Sequence, residues 1–349
     1  MPGRCGPRPR RRAPRSAGGR RSRRRRRRRS PGCSCSPRSL SLSGVAGRLS
    51  SASRGTLGGA CRGRVRAGAR APPGRRRRIV VGLGTRGREA SVETVEPVVD
   101  RDALLAGAMA SVTVPDGAEV SVAVLDTGTG GAAAYGTGLF DTASIVKVDV
   151  LAALLLRAED AGRSLTAAER AYAAAMIGQS DNDATSALWR TIGEAGGLDS
   201  ANERLGLTET SGGEGPLWGL TRTTAADQIA LLRQVFVADG SALGASARAW
   251  VRELMESVVD GQRWGVSAAA DGGADGSAWA LKNGWLRRGT TGLWVVNSIG
   301  RVSADGRERL VAVVSRGSAT REEGIALTEA AARAAVSVFA RTDGSGAAQ

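Results

Sequence analysis

The chain has 349 residues, a formal net charge of +17 and no histidine, which excludes a Ser-His-Asp triad and any histidine-ligated metal. The charge is unevenly placed: residues 1–88 carry 28 of the 50 basic residues and no acid, whereas the remainder carries all 33 acids against 22 bases. The positive balance therefore belongs to the leader, and the rest of the chain is acidic.

The leader runs through blocks of arginine separated by Gly, Ser and Pro, with little apolar surface to bury. This composition predicts disorder over residues 1–90, as a leader or as upstream sequence outside the mature protein. Arginine runs attract nucleic acid without specificity. A specific binder shows a basic patch on a folded module, so no specific nucleic-acid partner is expected. The apolar run Ile79 to Gly84 after Arg75–Arg78 is too short for a signal peptide, and no apolar run precedes Cys61 in Leu57-Gly-Gly-Ala-Cys61. No stretch approaches the ~20 apolar residues of a membrane span. All four cysteines, Cys5, Cys33, Cys35 and Cys61, lie in the leader, so the body is expected to use neither disulfide nor thiolate.

The body, taken as residues 91–343 with a flexible tail at 344–349, opens with a helical pattern from Val98 to Val112. Glu119 to Asp126 alternates as a strand does, Gly128, Gly130 and Gly131 make a turn, and Ala132 to Gly136 reads as the returning strand. Phe140 to Asp149 follows, with Ser144 and Lys147 at the start of an apolar helix that stops at Ala161-Gly162. Thr166-Ala-Ala-Glu169 is a capping box for the next helix, which ends by Gly178 and leads into Ser180-Asp181-Asn182. Helices are predicted over Asp183–Ile192, Ser200–Leu205, Thr224–Val237 and Ser246–Val259, with Thr224 and Ser246 as caps. Strands return at Trp279–Trp285, Gly292–Ile299 and Leu310–Ser315, and Glu323–Ala340 closes the body as an amphipathic helix. This order predicts an α/β (α+β) fold: one mixed sheet of about five strands flanked by the terminal helices, plus an all-helical lobe. The junction of the two layers is a natural cleft.

Of the fifty basic residues only Lys147 and Lys282 are lysines. Arginine stays protonated at any working pH, whereas a desolvated lysine loses its proton and serves as a base. Ser144 and Lys147 stand one helical turn apart and share a face, as a nucleophile and its activator must. Each motif also has a plainer reading: a capped helix with an exposed lysine, a helix cap at Ser180-Asp181-Asn182, and an Asn-Gly turn at Asn283-Gly284.

Taken together, Ser144-Ile-Val-Lys147, Ser180-Asp181-Asn182 and Lys282-Asn283-Gly284 resemble, in order and context, the S-x-x-K, S-D-N and K-T-G pattern of the serine β-lactamase and penicillin-binding-protein superfamily. The class A enzymes are the most similar, over residues 96–341. The resemblance implies a β-lactamase/transpeptidase-like fold in which Ser144 attacks a carbonyl and Lys147 takes its proton. Lys282 lowers the proton affinity of Lys147, and Ser180 protonates the departing nitrogen. It also implies an oxyanion hole from the backbone N–H groups of Ser144 and Trp285, a substrate amide held by Asn182, and a strand edge kept open by Gly284. Neither cofactor nor metal is implied. The partner is a small-molecule substrate, a β-lactam or a cell-wall-like amide, and the protein is expected to be a monomer, secreted or in the cell envelope. Three features depart from the family. Asn283 replaces the Thr or Ser whose hydroxyl meets the substrate carboxylate, leaving its amide to donate instead. The interval from Ser144 to Ser180 is short. The E-x-x-x-N loop that positions the deacylating water is missing between Leu207 and Thr221, where Glu214 is the carboxylate left to approach the site. The expected function is a serine hydrolase acylated at Ser144; the alternative is a penicillin-binding or sensor module that is acylated slowly or not at all.

Overall fold

The computed structural model describes residues 99–340. The leader assigned to residues 1–90, the body's outer boundaries at 91 and 343, and the tail at 344–349 lie outside the described residues. Helix α1 (Arg101–Met109) is capped by Asp100, whose carboxylate accepts from Ala103 N. Strands β1 (Glu119–Asp126) and β2 (Ala132–Tyr135) form a hairpin, and the two-residue β3 (Phe140–Asp141) delivers the chain to a 3₁₀ turn at Ala143–Ile145. That turn runs directly into α2 (Val146–Asp160).

The helical lobe continues with α3 (Ala167–Ala174), which opens on the Thr166/Glu169 capping box and ends in a π turn at Ala175–Gln179. Helices α4 (Asn182–Ile192) and α5 (Glu194–Leu205) follow, then the short β4 (Arg222–Thr223), which pairs with β3, and α6 (Ala225–Phe236) and α7 (Ala245–Glu256). Two expectations change here. Helix α5 starts six residues before Ser200, because burial of Leu198, Ala201 and Leu205 outweighs the ~1 kcal/mol that each of Gly196 and Gly197 costs a helix. The N-cap of α7 is Gly244, not Ser246, and no side chain caps it.

Strands β5 (Trp279–Arg287), β6 (Trp294–Ala304) and β7 (Arg307–Ser318) precede the last helix, α8 (Arg321–Ser337), which has a second capping box at Thr320 and Glu323. The sheet runs β2-β1-β7-β6-β5, five strands as expected, and is antiparallel throughout. The reason is local: β5, β6 and β7 are joined by hairpins. The second of these turns on Asp305 and Gly306, both at positive φ (53° and 67°), between the paired Ala304 and Arg307.

Both faces of the sheet are covered, so its strands read as apolar runs, and side-chain alternation sorts them. Leu310, Ala312 and Val314 of β7 join the core of the helical lobe, while Val311 and Val313 join α1 and α8 on the other side. Helix α2 is the axle of the lobe. Twelve of its fifteen residues are buried, so it has no solvent face to speak of, and truncating Leu151 or Leu154 to Ala is worth ~2–5 kcal/mol of stability. A helix this enclosed holds the residues at its start in a fixed place. β5 is the edge strand facing that start.

Candidate active site

Three chain segments meet at the N-terminal end of α2. Ser144 sits in the 3₁₀ turn, half-buried, after Ala143, which is held at φ 48°. A left-handed alanine costs about 1 kcal/mol or more, and such strain persists where the surroundings over-determine it. The π turn ends on Ser180, also left-handed (φ 58°, ψ 36°), and this swings its hydroxyl between the two lysines. Asp181 then caps α4 by accepting from Ala184 N, so it organises the loop, and Asn182 is the first residue of that helix.

Lys147 Nζ donates to Ser180 O (2.7 Å), Ser180 Oγ (3.0 Å) and Asn182 Oδ1 (2.9 Å). Lys282 Nζ donates to the same Ser180 Oγ (3.1 Å), to its neighbour's carbonyl, Asn283 O (2.8 Å), and to Gln262 Oε1 (3.3 Å). Both lysines are fully buried. With two donors on its oxygen, the Ser180 hydroxyl has its own proton free to point elsewhere. No hydrogen bond joins Ser144 Oγ to Lys147 in this structure; the pair shares one turn of chain.

Burial holds the proton affinity of Lys147 down, to a pKa of about 7, against the opposing pull of the Asp181 carboxylate. Lys282 lies well below the usual lysine range, first through burial and then through the charge of Lys147. Two ammonium groups sharing one hydroxyl oxygen, away from water, cannot comfortably both stay charged. Near neutral pH the cluster is therefore poised to carry an amine lone pair.

Strand geometry places the remaining residues. Lys282 and Gly284 point to the helical-lobe face of β5, and Asn283 points to the opposite face, across from Ser298 of β6. A Cβ on Gly284 would stand 2.7 Å from both Ser144 N and Ile145 N, so only glycine lets β5 lie against the turn that carries Ser144. Trp285, the next residue, is thereby brought beside Ser144 with its ring turned to the α8 side, where Arg321 stacks on it. The expectation for Asn283 is corrected. It is fully buried, and its amide donates to Gln262 O and Trp264 O (2.8 Å each), leaving no donor for a substrate. Period-two alternation explains this: a residue next to Lys282 faces away from it. Glu214 is exposed, and its carboxylate has no hydrogen bond or ion pair among the described residues. The loop it belongs to brings Trp218 to the site instead, with Lys147 Nζ 5.0 Å from the ring centroid and the indole N–H donating to Ser186 Oγ.

The β-lactamase enzyme family model matches residues 165–339, half of the chain, including Ser180, Lys282 and Gly284. The chain belongs to the β-lactamase enzyme family. Among solved structures, a variant of PBP-A in an acyl-enzyme complex with penicillin G is 21% identical, with 68% of this chain and 96% of that one covered and a TM-score of 0.56. The extended-spectrum β-lactamase TLA-1 is 15% identical, covering 69% and 98%, with a TM-score of 0.59. A β-lactamase from Chitinophaga pinensis is 16% identical, covering 68% and 99%, with a TM-score of 0.57. At these identities the likeness is one of fold. No curated protein matches the chain in sequence. Beyond the family motifs, Trp218 and Gln262 contact the two lysines of this candidate site in the β-lactamase-family fold. A tryptophan in a polar loop was a visible signal for the first. A lone glutamine in Asp260-Gly-Gln-Arg263 offered none.

Proposed function

We propose that the protein is a serine acyl-transfer enzyme in which Ser144 is acylated by β-lactams or related amides and esters. The observation that carries this reading is the convergence of Lys147 and Lys282 on the Ser180 hydroxyl, beside a serine against which only a glycine fits. Lys147, as the neutral amine, takes the Ser144 proton as the Oγ–carbonyl bond forms. The backbone N–H groups of Ser144 and Trp285 receive the oxyanion, each such donor being worth roughly 3–4 kcal/mol in related sites. Ser180, polarised by two lysines, passes its proton to the departing nitrogen and regains one from Lys147. Asn182 has its carbonyl on Lys147, which leaves its amide N–H groups to hold the acyl side chain.

A second reading, acylation with slow release, is favoured by Trp218. An indole covers Lys147, and among the described residues no carboxylate hydrogen-bonds to either lysine, so no described group stands at the amine to position a deacylating water. Intact-mass spectrometry of the full chain mixed with a fluorescent penicillin, beside Ser144→Ala, tests both. An adduct that is absent from the variant supports the nucleophile, and no adduct on folded wild type rejects it. Trp218→Ala should shorten the adduct's half-life about tenfold or more by admitting water; an unchanged half-life removes the shielding role.

A further inference from the structure

Gln262 is buried at 6% exposure in a loop that carries none of the three motifs, yet its side-chain amide reaches both Lys282 and the residue before Ser180. Its Oε1 accepts from Lys282 Nζ (3.3 Å), and its Nε2 donates to the carbonyl of Gln179 (2.9 Å), the residue before Ser180. Its backbone carbonyl accepts from Asn283 Nδ2 (2.8 Å). Nearby, Val259 N donates to Gly178 O (3.0 Å), so the same loop is stitched to the π turn at a second point. Ser180 and Lys282 are 102 residues apart in sequence, and Gln262 is the side chain that touches the carriers of both.

We infer that Gln262 is a positioning residue: by bridging Lys282 Nζ and Gln179 O it locks the strand-borne amine onto the Ser180 hydroxyl and holds the left-handed Ser180 in place. The inference rests on the reading of Ser180 as the proton carrier given above. Its physical content is twofold. A neutral amide acceptor lets Lys282 keep a partner whether or not it is protonated, where a carboxylate would pin it in the charged form. The donor end ties the strained turn to the sheet, so Ser180 Oγ stays within 3.1 Å of both amines. The charged groups facing this cluster are Lys147 from α2, which disfavours charge on Lys282, and Asp181 from the α4 cap, which acts on Lys147.

The composition supplies the test. With two lysines in the whole chain, a spectrum of full-length protein labelled at lysine Cε contains two titrating signals, assigned by Lys147→Arg. Gln262→Glu should raise the Lys282 midpoint by about one pH unit or more, and by more than it raises that of Lys147. Gln262→Ala should slow acylation by a fluorescent penicillin about tenfold and displace its pH–rate profile, a change that a merely structural loss would not cause. A Lys282 midpoint that stays put in Gln262→Glu overturns the inference, as does an unaltered pH–rate profile in Gln262→Ala. If Gln262→Ala does not fold, the Glu titration still decides. Wild type that takes no acyl group fails the nucleophile reading alone, because the lysine titration does not depend on it.

Discussion

Two buried polar clusters hang from helix α2 on opposite faces, two residues apart, and they are built from opposite chemistry. One gathers Lys147, Lys282, Ser180, Asn182 and Gln262, with three hydrogen bonds at each amine and no carboxylate among its acceptors. The other runs from Asp149 through Gln228 (3.4 Å), Thr223 (3.0 Å) and Thr210 (2.8 Å) to Asp227 (2.7 Å), and leaves Asp149 Oδ2 and Gln228 Oε1 without partners among the described residues. Burial acts on both in the same way, by penalising charge. It brings Lys147 down to a pKa of about 7 and Asp149 up to about 7. The outcomes differ in use. Lys147 shares one helical turn with the half-exposed Ser144, whereas the Asp149 carboxyl is sealed between α2, β4 and α6, where its Oδ1 accepts from Gln228. A perturbed proton affinity marks a catalytic group only where geometry gives it a reacting neighbour.

The largest effect that would separate the clusters is Lys147→Arg. A guanidinium keeps its proton, so acylation by a fluorescent penicillin should fall ~10³-fold or more while circular dichroism stays unchanged. Retained acylation would make the lysine cluster as structural as the aspartate one. Next comes Gly284→Ala, whose new Cβ must displace the backbone at Ser144 and Ile145. Acylation should fall ~10²-fold with a loss of ~1–3 kcal/mol in urea denaturation, and equal acylation rates would reject the close docking of β5. The smallest and sharpest effect is on pH dependence. The raised affinity of Asp149 stabilises the fold below about pH 4, and that contribution is lost as pH rises through about 7. The depressed affinity of Lys147 acts in the other direction: its contribution is full above the free-lysine range, ~10.4, and is lost as pH falls through about 7. Stability should therefore pass through a minimum near neutrality, each arm rising by at most ~1.4 kcal/mol per pH unit per proton. Asp149→Asn should flatten the acid arm and change acylation less than about twofold. An acid arm that persists in this variant would assign it elsewhere.

Much of the fold was legible in the chain because its signals are local. The alternation of Glu119–Asp126, the Thr166/Glu169 capping box and the apolar stripe after Ser144 each concern neighbours in sequence, and each element stands where it was expected. The misplaced boundaries have a common cause. Gly196 and Gly197 disguise the start of α5, and Ser246 looks a better cap than Gly244, because packing against α2 and the sheet outweighs local propensity there. The short β3–β4 pair, whose strands lie 81 residues apart and span two residues each, carries no periodic signal at all.

The sequence by itself determined which groups could do chemistry. A chain without histidine, with two lysines and three motifs in order, restricts the candidates to Ser144, Lys147, Ser180 and Lys282. Only the tertiary structure decided how they are placed. It turned Asn283 away from the cleft, put Trp218 and not Glu214 over Lys147, and made Gln262 the link between a helix turn and a strand. The physical reason is that a motif specifies side-chain chemistry within a few residues. Burial, orientation and proton affinity depend instead on which distant segment fills the space opposite, and long-range packing sets that.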